Sequence, residues 1–241
     1  MTYNSKSTIK INKQNKISPI PVNKHIGSIS IPKATKIPMQ KRKVEPIPNI
    51  KKLRTFDLNN MNIEECKNKC IELLRFTKRN DIEKLIQLLD ESGYFHIPGS
   101  MKHHRYKGGL LIHSLDTFLK YLDVKKETQG WTKEQMNYYL PLESIIIVSL
   151  LHDLGKTEYL YFDERTKQPQ RIEGKDGREH GYKSYQMIEK CGFKLNEMEK
   201  QAIIDHMGMN KINKISYEQS YGKHNKLSYG LYVADCRSAC N

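Results

Sequence analysis

Thirteen residues, Ser144 to Lys156 (SIIIVSLLHDLGK), constrain this chain more than any others. A nearly unbroken apolar run leads straight into His152 and Asp153, followed by Gly155 and Lys156. Such a run has to be buried, and its ionisable end is buried with it. A lone carboxylate in an apolar interior costs several kcal/mol unless a partner or a bound cation offsets it. Histidine beside aspartate, just ahead of a glycine, therefore points to a metal. Ile145 to Val148 read equally well as a buried strand or a buried helix, because periodicity does not separate the two in so apolar a run.

A metal needs further ligands, and the remaining segments supply candidates. Asn62 to Lys78 carries Ile63, Cys66, Cys70, Leu73 and Leu74 at helical spacing. Asn80 and Asp81 offer a cap for a second helix, Ile82 to Leu89, which Gly93 stops. After Gly108-Gly109, LLIHSLDTFLKYL places Leu111, Leu115, Phe118 and Leu122 on one stripe. His113 lies about 200° round from that stripe, so it is either exposed or on a second buried face turned to a polar cavity. Trp131 to Tyr139 predicts a helix ahead of Pro141, and the loose alternation of Glu158 to Arg171 predicts a short hairpin.

Two more histidines fall on inward stripes. His180 aligns with Ser184 and Met187, with Ile188 and Cys191 completing the face up to Gly192. His206 aligns with Leu195, Met198 and Ala202, on a helix that Asn196 and Glu199 begin as a capping box and Gly208 ends. Each histidine taken singly reads as a core imidazole satisfied by its neighbours. The last helix, Leu227 to Cys240, puts Asp235 beside Leu227, Leu231 and Ala234, where a carboxylate needs a cation. Four histidines and two carboxylates on core helices point together to Mn, Fe, Ni, Co or Zn rather than to Mg, which prefers oxygen ligands. Six such side chains exceed what one ion in an open catalytic site needs, and two ions sharing a carboxylate fit the number.

Charge separates the chain into an arm and a body. Residues 1–54 hold 13 of the 41 Lys and Arg against a single acid, Glu45, whereas the body is nearly neutral. Six of the nine prolines lie in the arm, four of them in Ile-Pro pairs, and Tyr3 is its only aromatic residue. Proline disfavours helix there and so little apolar bulk builds no core, so the arm is expected to be extended and disordered by itself. It suits contact with a polyanion such as nucleic acid, docking as an Ile-Pro tether into a larger assembly, or a solvated tail. No secretory signal is seen and no apolar run reaches the ~20 residues of a transmembrane helix, so a cytoplasmic protein without membrane contact is expected. Five cysteines make no disulfide framework, and the pairs Cys66/Cys70 and Cys236/Cys240 read as buried small hydrophobes in a reducing compartment rather than as zinc ligands.

The order His113, His152-Asp153, Asp235 resembles the HD-domain superfamily of metal-dependent phosphohydrolases. The likeness covers about residues 90 to 240, through SGYFHIPGSMKHHRYKGGLLIHSLD, LLHDLGK, EHGYKS and DHMG. It runs closest to small HD hydrolases of clostridia and their phages, and is similar to bacterial exoribonucleases that join an OB domain to an HD domain. The resemblance implies an all-α HD bundle over 55–241 (N-terminal helices 55–92, core 93–241) with a small hairpin insertion, and places the chain in a host cytoplasm or, if phage-encoded, a virion. It further implies that His113, His152, Asp153 and Asp235 hold a first ion, and that His180 and His206 hold a second, with Asp153 bridging. Lys156 then meets substrate phosphate beside the catalytic Asp153, while His104, Arg178 and Lys183 are candidates for substrate contact. The chain lacks the Gly-Tyr-Pro of cyclic-dinucleotide phosphodiesterases, the acidic pair of (p)ppGpp hydrolases and the HDxGH pattern of dNTP triphosphohydrolases. A nucleotide or oligonucleotide phosphoester is left as substrate. The competing readings are a catalytically idle module in a nucleic-acid-binding or tethered protein, and a structural metal site.

Overall fold

A computed structural model describes residues 56–128, 132–206 and 226–240. The basic arm, Trp131, Gly208 and the segment 207–225 lie outside the described residues. What is described is mostly helical, with one small two-stranded antiparallel sheet.

Helix α1, Ile63–Phe76, opens on a complete capping box in which Asn62 and Glu65 exchange side-chain and backbone bonds. It buries Cys66, Cys70, Leu73 and Leu74. Helix α2, Ile82–Glu91, starts differently from expectation. Asp81 has φ 61° and its side chain caps nothing; it pairs with Lys84 at 2.8 Å instead. Helix α3, Gly109–Glu127, follows the loop that carries His103 and His104, and α4, Lys133–Tyr139, begins on the Thr132–Gln135 capping box.

Pro141 starts α5, Leu142–Leu151, and every residue from Ser144 to Leu151 is buried. This resolves the strand-or-helix ambiguity. A helix apolar on all sides is a core helix, and α5 packs against α1 and α3 as well as against the two later helices, α7 (Glu197–Asp205) and α8 (Lys226–Ala239). Each of its large aliphatic side chains contributes about 1.5–3 kcal/mol by leaving water. His152 is its C-cap, and a 3-10 turn, Leu154–Glu158, carries Lys156 away from it.

Strands β1, Leu160–Asp163, and β2, Gln168–Arg171, pair antiparallel with Leu160 opposite Arg171. The hairpin is fastened to the loop before α3 by Arg105–Gln168 at 2.8 Å and Lys107–Glu164 at 2.5 Å. Helix α6, His180–Lys190, packs on the 3-10 turn and on α7, which begins on the expected Asn196–Glu199 capping box. Helix α8 crosses α3, α5 and α7. Among the described residues no helix is long and apolar enough to cross a membrane.

The cysteines divide rather than behaving alike. Cys66 and Cys70 are buried as expected, whereas Cys236 on α8 and Cys240 just past its end are exposed, the inward face of α8 being taken by Leu227, Leu231, Ala234 and Ser238. Burial, with Cys66 nearby, pushes the Cys70 thiol up to about 12. In a native thiol titration Cys236 and Cys240 are expected to react, and Cys66 and Cys70 only after unfolding. Equal reactivity of all the thiols would contradict this packing.

Candidate metal centre

Three helix ends and two helix interiors converge near Asp153. His113 projects from α3, His152 and Asp153 from the end of α5, and His180 from the first residue of α6. His206 follows the last turn of α7 and Asp235 lies on α8. His113 and His152 are 0% exposed and Asp153 is 2% exposed. The off-stripe His113 therefore belongs to a second buried face of α3, which also includes Ser114 and Thr117.

Each of the four rings is fixed through Nδ1. In three of them Nδ1–H donates to the carbonyl three residues earlier: His152 to Ser149 at 3.0 Å, His180 to Gly177 at 2.8 Å and His206 to Ile203 at 2.6 Å. His113 instead meets the Ser238 hydroxyl at 3.0 Å. Occupying Nδ1 in this way leaves Nε2 as the nitrogen aimed into the cluster, the arrangement that orients metal-ligating histidines.

The Nε2 atoms divide between the two oxygens of Asp153. Oδ2 faces His113 and His152, each at 3.3 Å, and Asp235 Oδ1 closes that side at 3.0 Å from His113 and 3.6 Å from His152. Oδ1 faces His180 at 2.9 Å and His206 at 3.2 Å. Among the described residues, His113/His152/Asp153/Asp235 and Asp153/His180/His206 are each able to hold a metal ion, and a further group joins His103, His104 and His113.

The buried Nε2 atoms of His113 and His152 have no hydrogen-bond partner, although carboxylate oxygens stand close by. Attraction without hydrogen-bond alignment is what a ligand set looks like when its lone pairs aim at a common point. The donor set, imidazole with carboxylate, suits a transition metal. Helix α5 also turns its carbonyl end toward the cluster, which favours a cation there.

The electrostatics agree. Burial opposes ionisation of Asp153, but Lys156, His152 and His113 hold its carboxyl well below the usual range. Burial likewise opposes charge on Asp235, and His113 and His152 outweigh it. Burial disfavours charge on His152 too, yet Asp153 and Asp235 raise it to about 10. Two carboxylates thus draw a proton to a position that a metal would otherwise serve. His206 is lowered, first by burial and then by the neighbouring imidazoles.

Lys156 is buried at 6% exposure, with Nζ 2.5 Å from Asp153 Oδ2 and donating to the Gly99 carbonyl at 2.8 Å. Gly155, just before it, allows the backbones to close: a Cβ there would stand 2.4 Å from the His180 carbonyl oxygen. Ser184 completes the join, its hydroxyl accepting from Gly155 N at 2.8 Å and lying 2.7 Å from the His152 carbonyl.

The other candidates divide. His104 reaches the edge of the cluster, its ring 5.3 Å from that of His113. His103 stands there as well, at 5.1 Å, and sequence reasoning passed over it because a polar loop has no periodicity to mark an inward side chain. Burial, then His113, lowers both of these imidazoles to about 4. Arg178 is spent on Asp176 at 2.7 Å with its side chain 87% exposed. Lys183 donates to the Asp176 carbonyl at 3.2 Å and lies 3.9 Å from Glu158. The bonds of Arg178 and Lys183 run to Asp176 and Glu158 rather than into the cluster.

Fold and site together define a helical protein with a buried His/Asp cluster able to hold a metal. Compared with family models, curated proteins and solved structures, the chain gives no match.

Proposed function

We propose that this chain is a metal-dependent phosphohydrolase of the HD-domain kind, cleaving a phosphoester of a nucleotide or oligonucleotide with two divalent ions of Mn, Fe, Ni, Co or Zn. One observation carries the reading: Asp153 turns one oxygen to His113 and His152 and the other to His180 and His206. His113, His152 and Asp235 would hold one ion, His180 and His206 the other, with Asp153 between them. Such a pair supplies Lewis acidity toward a phosphoryl group and an activated water near neutral pH.

The chain's own groups supply the rest. Asp153 fixes the spacing of the two positions. Lys156 holds a positive charge beside them, tethered at Gly99, where it stabilises charge that builds on phosphoryl oxygens. His104, at the outer edge, is the side chain best placed among the earlier substrate candidates to meet the ester. The basic arm would add contact to nucleic acid or to a larger assembly.

The test is direct. Full-length protein is analysed for bound metal, then screened with nucleotides, cyclic nucleotides and short RNA plus added Mn²⁺. Protein with neither bound metal nor turnover would overturn the proposal. Metal should also stabilise the fold: at about 100 times Kd the gain is about 2.7 kcal/mol. For a domain of this size that corresponds to a rise of roughly 5–11 °C in Tm, reversed by chelation.

A further inference from the structure

Among the described residues, His113 belongs to two of the three groups able to hold a metal, yet it has one nitrogen to give. Its Nδ1 is on Ser238, so Nε2 serves either His103 and His104 or the inner set of His152, Asp153 and Asp235. An ion held on the outer side and an ion held on the inner side therefore compete for the same lone pair. Passing one ion from outer to inner position exchanges the remaining ligands and leaves His113 attached throughout.

The inner ligands His113 and His152 are sealed from solvent at 0% exposure. His103 and His104 are half-buried, and their rings abut that of His113 at 5.1 and 5.3 Å. Their Nδ1 atoms face each other at 3.1 Å. A buried metal site needs a route in, and this pair reaches both solvent and a resident ligand.

The loop is built to keep the pair there. His104 has φ 49°, a conformation that residues other than glycine rarely adopt, and it persists because the surroundings fix it. Gly99 N–H donates to the His104 carbonyl at 2.9 Å, and a Cβ on Gly109 would stand 2.0 Å from that same oxygen. The Ser100 hydroxyl accepts from the backbone N–H of Lys102 at 3.0 Å and of His103 at 2.9 Å. The Gly99 carbonyl in turn accepts from Lys156, which binds Asp153, so the loop is tied to the centre it adjoins.

Resting on the metal-centre reading, we infer that His103, His104 and His113 form an imidazole-only transfer position through which a divalent cation reaches the inner His113/His152/Asp153/Asp235 position. The direction follows from ligand charge. Three neutral imidazoles offer lone pairs alone, whereas the inner set adds two carboxylates, so the ion is held weakly outside and tightly inside.

The experiment uses full-length protein stripped by chelator and mixed rapidly with Co²⁺, whose absorption bands report coordination. The variant is His103→Ala with His104→Asn, asparagine being chosen because it tolerates positive φ. The variant is expected to reach the wild-type Co²⁺ stoichiometry but to load measurably more slowly, because the ion loses its solvent-facing ligands on the way in. Equal loading rates would overturn the transfer position. A lower final stoichiometry would also overturn it, by making the pair resident ligands. Wild type that takes up no Co²⁺ would instead remove the metal-centre reading itself. A second measurement needs no loop variant: Asp153→Asn should still bind one Co²⁺ weakly in titration, lost on dialysis. No such ion there would overturn the proposal.

Discussion

Replacing Asp153 with alanine is expected to leave the dialysed protein without either tightly held ion and to bring phosphoesterase turnover to background. Among the described residues, no other side chain stands in both inner ligand groups. Removing His180 should cost one ion and leave the His113/His152/Asp235 side filled, while Asp235→Ala should do the reverse. Metal counts of zero, one and one across these three variants are the signature of a bridging carboxylate. The stability of Asp153→Ala has to be measured beside them. Its loss strands Lys156 at 6% exposure, and an unpaired buried charge costs about 3–5 kcal/mol. Asp153→Ala/Lys156→Met should recover the stability without recovering the metal, which separates the two effects. Full turnover in folded Asp153→Ala would refute the two-ion proposal.

The second large effect lies away from the metal. Arg79→Met is expected to destabilise the protein by about 3–5 kcal/mol, or roughly 6–20 °C in Tm. Glu199 is 0% exposed, and Arg79 meets both of its oxygens, at 2.9 and 3.2 Å. The same carboxylate accepts from Ser144 Oγ at 2.7 Å and from Asn196 N at 2.9 Å. It therefore joins the start of α5 to the start of α7, the helices that deliver His152 and His206. Without Arg79 the charge on Glu199 remains buried with hydroxyl and amide donors only. Adding Glu199→Gln should restore much of the loss, since an amide needs no counter-charge. A change under about 1 kcal/mol in Arg79→Met, the scale of an exposed ion pair, would show that solvent already shields this one.

How far these features could be read beforehand depended on their range. The capping box at Asn196 is local and was legible from four residues, whereas the one at Asn62, with the same spacing, was passed over. That Glu199 also neutralises Arg79, 120 positions away, was not legible, because no spacing rule spans such a distance. The helix of Ser144 to Leu151 was undecidable from its own residues: burial on every side erases the periodicity that distinguishes helix from strand. His113 looked misplaced for a related reason. Helix α3 is buried on two faces, and a single stripe of leucines describes only one of them. The cluster residues stood out by their chemical incongruity, as polar groups attached to apolar helices. His103, in a polar loop, showed no such contrast. Cys236 and Cys240 failed the other way, since helical spacing shows that two residues share a face but not which way that face is turned.

Three of the cluster's histidines hold their rings on carbonyls three residues back in their own segments, so their orientation travels with the local fold. His113 differs. Its ring takes direction from Ser238, 125 residues later, on the helix that also brings Asp235. During synthesis, then, α3, α5, α6 and α7 can assemble around the cluster while His113 has no tautomer imposed on it and one carboxylate is missing. Docking of α8 supplies both at once. Helix α8 thus acts as a latch on metal competence, and a folding intermediate in which it is undocked is expected to bind ions poorly.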